Sequence, residues 1–249
     1  TAFAAGYLTP DDEPADTAFD LLVSQDTGDG GMVTVGTPSG GMGGGTSRVR
    51  VAHVSPNAPN VDVYVDESAV LEDVAFGAVS DYLDVPAGTR SVEVTAAGDP
   101  DASVFAGDVT VDADADYTVA AAGEIGDEAD QPFAPLVLAD DNSDPGDGRA
   151  RLRVVHASPD APAVDVTAEA GPVLFDGVAF GESGYVDVEA SDYTVEIRGD
   201  TESNDGDVVA SYDVGLDSNA VYTAFATGYL TPDDEPADTT FDLLVSQDA

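Results

Sequence analysis

The sequence predicts an all-β chain of tandem immunoglobulin-like antiparallel β-sandwich domains. Three observations carry this expectation. Apolar residues alternate with polar or small ones in RVRVAHV, VDVYVD, SVEVTA, DVTVDA and YTVAAAG, the period-two pattern of half-buried strands. Proline and glycine turns punctuate these runs, as at Pro56-Asn57-Ala58-Pro59, Pro86-Ala87-Gly88, Gly98-Asp99-Pro100 and Gly126-Asp127. The whole pattern also occurs twice: Arg48–Asp66 (RVRVAHVSPNAPNVDVYVD) returns as Arg151–Glu169 (RLRVVHASPDAPAVDVTAE), an offset of 103 residues.

Taken in chain order, residues 1–26 (TAFAAGYLTPDDEPADTAFDLLVSQD) return as Thr223–Asp248, with only Ala5/Thr227 and Ala18/Thr240 exchanged. They are expected to be the C-terminal strands of a preceding or neighbouring module. On that expectation the chain is either one period of a tandem array or a subunit that completes its neighbour. Residues 27–47 are glycine-rich and nearly uncharged, the composition of a flexible linker, with one segment of strand character at Met32–Val35. The first sandwich module is placed at 48–140 and the second at 150–249, joined by a short acidic connector at 141–149. The correspondence runs on through Phe76-Gly77 with Phe180-Gly181, Tyr82 with Tyr185, Gly123 with Gly228, and Phe133–Asp140 with Phe241–Asp248. About seven short strands per module suit an immunoglobulin-like sandwich.

Charge narrows the choice of partner. Fifty acidic side chains stand against seven basic ones, net −43, and all seven are arginines. In dilute buffer that charge destabilises a compact state by self-repulsion. In about 1 M salt the screening length falls to roughly 3 Å, so a halophilic source is expected. The same charge disfavours nucleic acid, whose binding rests on basic contacts to phosphate. No apolar run approaches the roughly 20 residues that span a bilayer, so membrane insertion is not expected. Cysteine is absent, which removes disulfide and thiolate chemistry.

Candidate chemistry is sparse. His53, Ser55 and Asp62, repeated as His156, Ser158 and Asp165, hold the residue types of a nucleophile, base and acid. No oxyanion-hole motif accompanies them. The stronger expectation is that each histidine bonds the serine or the proline turn and fixes a strand-to-turn corner; no enzymatic role is expected. Two acidic clusters are candidate calcium ligands: Asp140, Asp141, Asp144 and Asp147 in the connector, and Asp112, Asp114 and Asp116 at alternating positions. Neither has EF-hand spacing. Tyr7, Tyr82, Tyr185 and Tyr229 would stack on sugars if exposed, although tyrosine in an alternating strand more commonly half-buries its ring. Thr9–Pro14 and its repeat Thr231–Pro236 read as proline-bracketed acidic turns.

The paired R-V-R-V-A-H-V-S-P-N-A-P-N-V-D-V and R-L-R-V-V-H-A-S-P-D-A-P-A-V-D-V stretches resemble an uncharacterised family of secreted β-sandwich domains, common in haloarchaea and some bacteria. Its hallmark is R-V-x-H-x-S-P-x-A-P-x-V-D-V, often in tandem. The resemblance implies an extracellular or cell-surface setting and brings no activity or ligand with it. Thr167-Ala168 departs from Tyr64-Val65 of the first module. The expected function is structural: repeated modules building a filament or surface stalk from copies of the chain. The alternative is a calcium-assisted adhesin that binds surface glycans.

Overall fold

The computed structural model describes residues 44–126 and 129–249, together with the backbone of strands at 2–5 and 20–23. The chain divides into two units, Thr1–Met42 and Gly43–Ala249. In the first unit β1 (Ala2–Ala5) pairs antiparallel with β2 (Asp20–Val23), Ala2 opposite Val23 and Ala5 opposite Asp20. Tyr7, the Thr9–Pro14 turn and the Met32–Val35 segment lie outside the described residues.

The second unit holds two modules of eight strands each. The first comprises β3 (Thr46–His53), β4 (Val61–Val65), β5 (Ser68–Val74), β6 (Leu83–Pro86), β7 (Gly88–Ala96), β8 (Asp99–Val111), β9 (Asp116–Ala122) and β10 (Ala134–Ala139). The second repeats them as β11 (Arg149–His156), β12 (Val164–Ala168), β13 (Val173–Val178), β14 (Ser183–Glu189), β15 (Asp192–Gly199), β16 (Val208–Gly215), β17 (Val221–Thr227) and β18 (Asp242–Gln247). Each module is a sandwich of two four-stranded sheets, ordered β10-β9-β3-β6 and β5-β4-β7-β8 in the first, β18-β17-β11-β14 and β13-β12-β15-β16 in the second. The expectation of purely antiparallel sheets needs one amendment. β3 runs parallel to β9 and β11 parallel to β17, because each module's first and seventh strands meet only after the chain has crossed the other sheet.

Strand alternation serves three cores rather than two. On β11, Leu152 and Val154 point into the second module's own sandwich, with Val166, Ile197 and Phe175 from the opposite sheet. Val155, the next residue, with Ala157 just beyond, points the other way and joins Phe225 in a cluster completed by Ala52, Val54, Ala120 and Ala122 of the first module. Val51, Val61, Val63 and Val94 form the first module's core. The sheets containing β3 and β11 are therefore buried on both faces, which is why every residue of β17 (VYTAFAT) is buried. The modules share a hydrophobic layer, so the connector at 141–149 links two halves of one packed body.

Two glycines fix the turn that leaves each inner strand. Gly123 and Gly228 have φ of 80° and 82°, the left-handed region that favours glycine. A Cβ at Gly228 would fall 2.2 Å from the Thr240 carbonyl oxygen, and one at Gly123 would fall 2.6 Å from the Gln131 and Pro132 oxygens. Gly98 shares the backbone conformation (φ 74°) but faces open space. Gly228→Ala and Gly123→Ala should each destabilise the chain by at least about 2 kcal/mol, against roughly 1 kcal/mol for Gly98→Ala. Denaturant midpoints in molar salt measure the difference, and equal losses at all three positions would contradict the steric account.

Candidate functional site

The H-x-S-P-x-A-P motif is a corner clamp, built twice. His53 places Nε2 2.9 Å from the Pro59 carbonyl and His156 places Nε2 3.0 Å from that of Pro162, so Nε2–H donates across the turn. Ser55 Oγ donates to the Gly123 carbonyl at 2.6 Å, and Ser158 Oγ to that of Gly228 at 2.7 Å. The next polar position ties down the following loop: Asn57 accepts from the Ile125 N–H at 2.9 Å, while Asp160 accepts from Leu230 and Thr231 at 2.8 and 2.7 Å. Asp62 receives the N–H groups of Asp73 and Gly98 at 2.8 and 2.9 Å. Asp165 receives those of Gly177 and Thr201 at 2.9 and 3.1 Å. Each serine thus donates its proton to a backbone carbonyl, and each aspartate accepts from backbone N–H groups. The nucleophile–base–acid arrangement does not form, and the corner-fixing role expected of the histidines does.

The interface between modules carries the chain's densest electrostatics. Period-two alternation on β3 and β11 sends Arg50 and Arg153 toward the opposite module, where both are buried, 2% and 1% exposed. Each crosses to an aspartate of the other module. Arg50 Nη1 lies 2.6 Å from Asp248 Oδ1, and Arg153 Nη1 lies 2.7 Å from Asp140 Oδ1. Both carboxylates are 0% exposed.

Two threonines complete the exchange. Thr118 Oγ1 accepts from Arg50 Nε (2.8 Å) and Arg153 Nη2 (3.0 Å), and donates to Asp140. Thr223 Oγ1 accepts from Arg153 Nε (3.0 Å) and Arg50 Nη2 (3.2 Å), and donates to Asp248 at 2.6 Å. The arrangement repeats itself when the modules are interchanged, as a two-fold axis would require. The two guanidinium groups and the two carboxylates balance one another in charge.

Tyr82 and Tyr185 wall the network. Arg50 lies over the Tyr82 ring and Arg153 over the Tyr185 ring, each 5.2 Å from the centroid. Tyr82 also donates to Asp140 at 2.6 Å. Burial pushes both phenols up from their ordinary value. Tyr229 is fully buried, so of the expected sugar-stacking tyrosines it offers no open face.

The two candidate calcium clusters are dispersed by this architecture. Asp140 belongs to the arginine network. Asp141 pairs with Arg151 Nη1 at 2.6 Å, Asp144 caps the Gly146 N–H at 2.8 Å, and Asp147 is exposed. Asp116 accepts from Arg48 Nε at 2.8 Å, Asp112 meets the Tyr117 hydroxyl at 3.2 Å, and Asp114 is exposed. Burial works against ionising Asp116, but the Arg48 and Asn142 hydrogen bonds outweigh it and hold the carboxyl low. Among the described residues one other group brings three carboxylates within 4.8 Å: Asp165, Asp176 and Asp200. No sequence spacing announces it, since three different strands and loops supply its members.

Asp248→Ala should cost about 3–5 kcal/mol, because it strands the Arg50 guanidinium in a dry layer. Arg50→Met combined with Asp248→Leu should lose far less. Denaturant titration measures both, and a neutral Asp248→Ala would refute the network's role. The histidines set a pH dependence. Burial lowers both below the ordinary 6.5, so below that pH the unfolded chain takes up protons that the folded chain refuses. Stability should therefore fall as pH drops from about 7 and level off only beneath the depressed folded values. Replacing both histidines with glutamine should flatten that slope in pH-resolved unfolding.

No helix among the described residues is long and apolar enough to cross a membrane, and curated protein sequences return no match. A Bacillus anthracis protein, the TIE protein, aligns at 9% identity and TM-score 0.24, over 74% of this chain and 34% of its own length. The chain therefore spans about a third of that relative. A family 26 carbohydrate-binding module from Eubacterium rectale Amy13K, solved with maltoheptaose, aligns at 10% identity and TM-score 0.24, covering 81% of this chain and 97% of that one. A Bacteroides fragilis protein assigned to cell adhesion aligns at 10% identity and TM-score 0.19, covering 80% of this chain and 96% of that one. Likenesses this loose bear on neither ligand nor assembly. The sequence itself is decisive: residues 47–167 and 153–249 each match the domain of unknown function DUF4397, and the chain belongs to that family as a tandem pair.

Proposed function

We propose that the chain is a structural element of an extracellular, salt-adapted assembly, in which sandwich pairs continue head to tail through the repeated hairpin. One observation carries this reading. β1 and β2 pair with Ala2 opposite Val23, and β17 and β18 pair with Ala224 opposite Val245, the same register at the 222-residue offset. In the second unit β17 has β11 on its other edge, aligned in parallel. Among the described residues β1 has β2 alone. An open strand edge is a template for another strand. Strand addition supplies many main-chain bonds at once, as β11 does along the equivalent edge of β17.

The acidic surface supports the same setting. At net −43 a filament of such units repels itself in dilute buffer and tolerates close approach only where salt screens it. In molar salt the full chain is expected to form multimers, visible in images as threads with a regular axial spacing. Replacing Phe3 and Ala4 with proline removes two ladder N–H groups and should leave single copies with an unchanged β-type circular dichroism spectrum. A wild-type chain that stays single at high concentration in molar salt would overturn the proposal. Desalting to millimolar levels should unfold the protein, and an unchanged spectrum there would remove the salt-adapted part.

A further inference from the structure

The exchanged arginines cannot by themselves decide which modules pair, because Arg50, Thr118 and Asp140 are matched position for position by Arg153, Thr223 and Asp248. Two copies of either module could build the same network. The rest of the layer is not symmetric. Where the first module has Ala120, the second has Phe225, and both sit in the one buried cluster between modules. Ala52 is matched by Val155 there, and the sense reverses at Val54 and Ala157. Volume removed from one side is restored on the other.

Polar groups at the far end follow the same rule. Glu124 and Tyr229 occupy equivalent positions, each directly after its left-handed glycine. The Tyr229 hydroxyl donates to Glu124 Oε1 at 2.7 Å, with Tyr229 0% and Glu124 4% exposed. Thr227, matched by Ala122, donates to the Val54 carbonyl at 2.8 Å. Two like modules would bring together either two buried carboxylates or two phenols without an acceptor. They would also set Phe225 against itself, or leave Ala120 facing Ala120 across a void.

We infer that this face is keyed: a module bearing phenylalanine and tyrosine at these positions pairs with one bearing alanine and glutamate, and not with its own kind. The keying is independent of the filament reading. It also identifies a partner class for residues 1–26. Their sequence carries Phe3 and Tyr7 where the C-terminal copy has Phe225 and Tyr229, so they belong to the phenylalanine–tyrosine class and fit an alanine–glutamate module.

The test uses the full chain in molar salt and reads the folding equilibrium constant. Tyr229→Glu creates a like pair of carboxylates, Glu124→Tyr a like pair of phenols, and the double variant restores an unlike pair with the sides reversed. The double variant is expected to fold at least tenfold better than the product of the two single losses predicts. Should either single variant fail to fold, a second cycle with Ala120→Phe and Phe225→Ala applies the same logic to volume. Coupling of tenfold or more in either cycle supports keying. Losses that simply multiply in both cycles overturn it.

Discussion

Everything in the second unit depends on burying two guanidinium groups between two modules. A lone buried charge is untenable, so each arginine must meet a carboxylate, and here each carboxylate belongs to the other module. Within its own module each arginine has an aspartate only at 3.9 Å, Asp140 for Arg50 and Asp248 for Arg153; the close pairs cross between modules. Thr118 and Thr223 take up the remaining donors and hand their protons on to Asp140 and Asp248. The apolar layer of Val54, Val155 and Phe225 beside them excludes water. That exclusion raises the cost of any unmade bond, so it makes separation of the modules expensive.

Two-fold exchange has a consequence for assembly. An isologous contact uses the same patch on both partners and is finished once made. With Arg50 and Arg153 both engaged inside one chain, this face is spent on the module pair and offers nothing for continuation. The 222-residue repeat spans two modules rather than one, which matches a pair as the unit of construction. Continuation of the proposed assembly therefore falls to strand edges. β1 differs from β17 in this respect, since among the described residues β17 is flanked on both sides and β1 on one.

Most of the fold was legible in the sequence because strand alternation and turn chemistry are local. The RVRVAHV and YTVAAAG runs became β3 and β9, and Gly123 and Gly228 stand at the turns beyond the inner strands. The role of the H-x-S-P corner was legible too, since a buried histidine near proline carbonyls has few other partners. Two things were not. Parallel pairing of β3 with β9 depends on residues about seventy positions apart, which no local pattern encodes. The second is the destination of alternate residues on β3. Arginine at every second position reads as a solvated face, yet Arg50 is dry. A signal was present: the same face continues as Ala52 and Val54, and in the second module as Val155 and Ala157, with no polar residue on any of them. The partner of Asp140 was illegible for the same reason, because Arg153 lies in the other module.

Arginine is the only cation that could serve here, which accounts for one peculiarity of the composition. Arg50 uses Nε on Thr118, Nη1 on Asp248 and Nη2 on Thr223, three directions fixed by one rigid plane. A lysine ammonium is a single flexible point and could not hold two modules in register this way. Salt sharpens the distinction. An exposed pair such as Arg90 with Asp66 contributes little in the molar salt proposed for this protein, because ions screen it. The buried pairs lie beyond the reach of those ions. Two of the seven arginines, Arg50 and Arg153, lie where charge still acts at full strength, and it is there that the modules are joined.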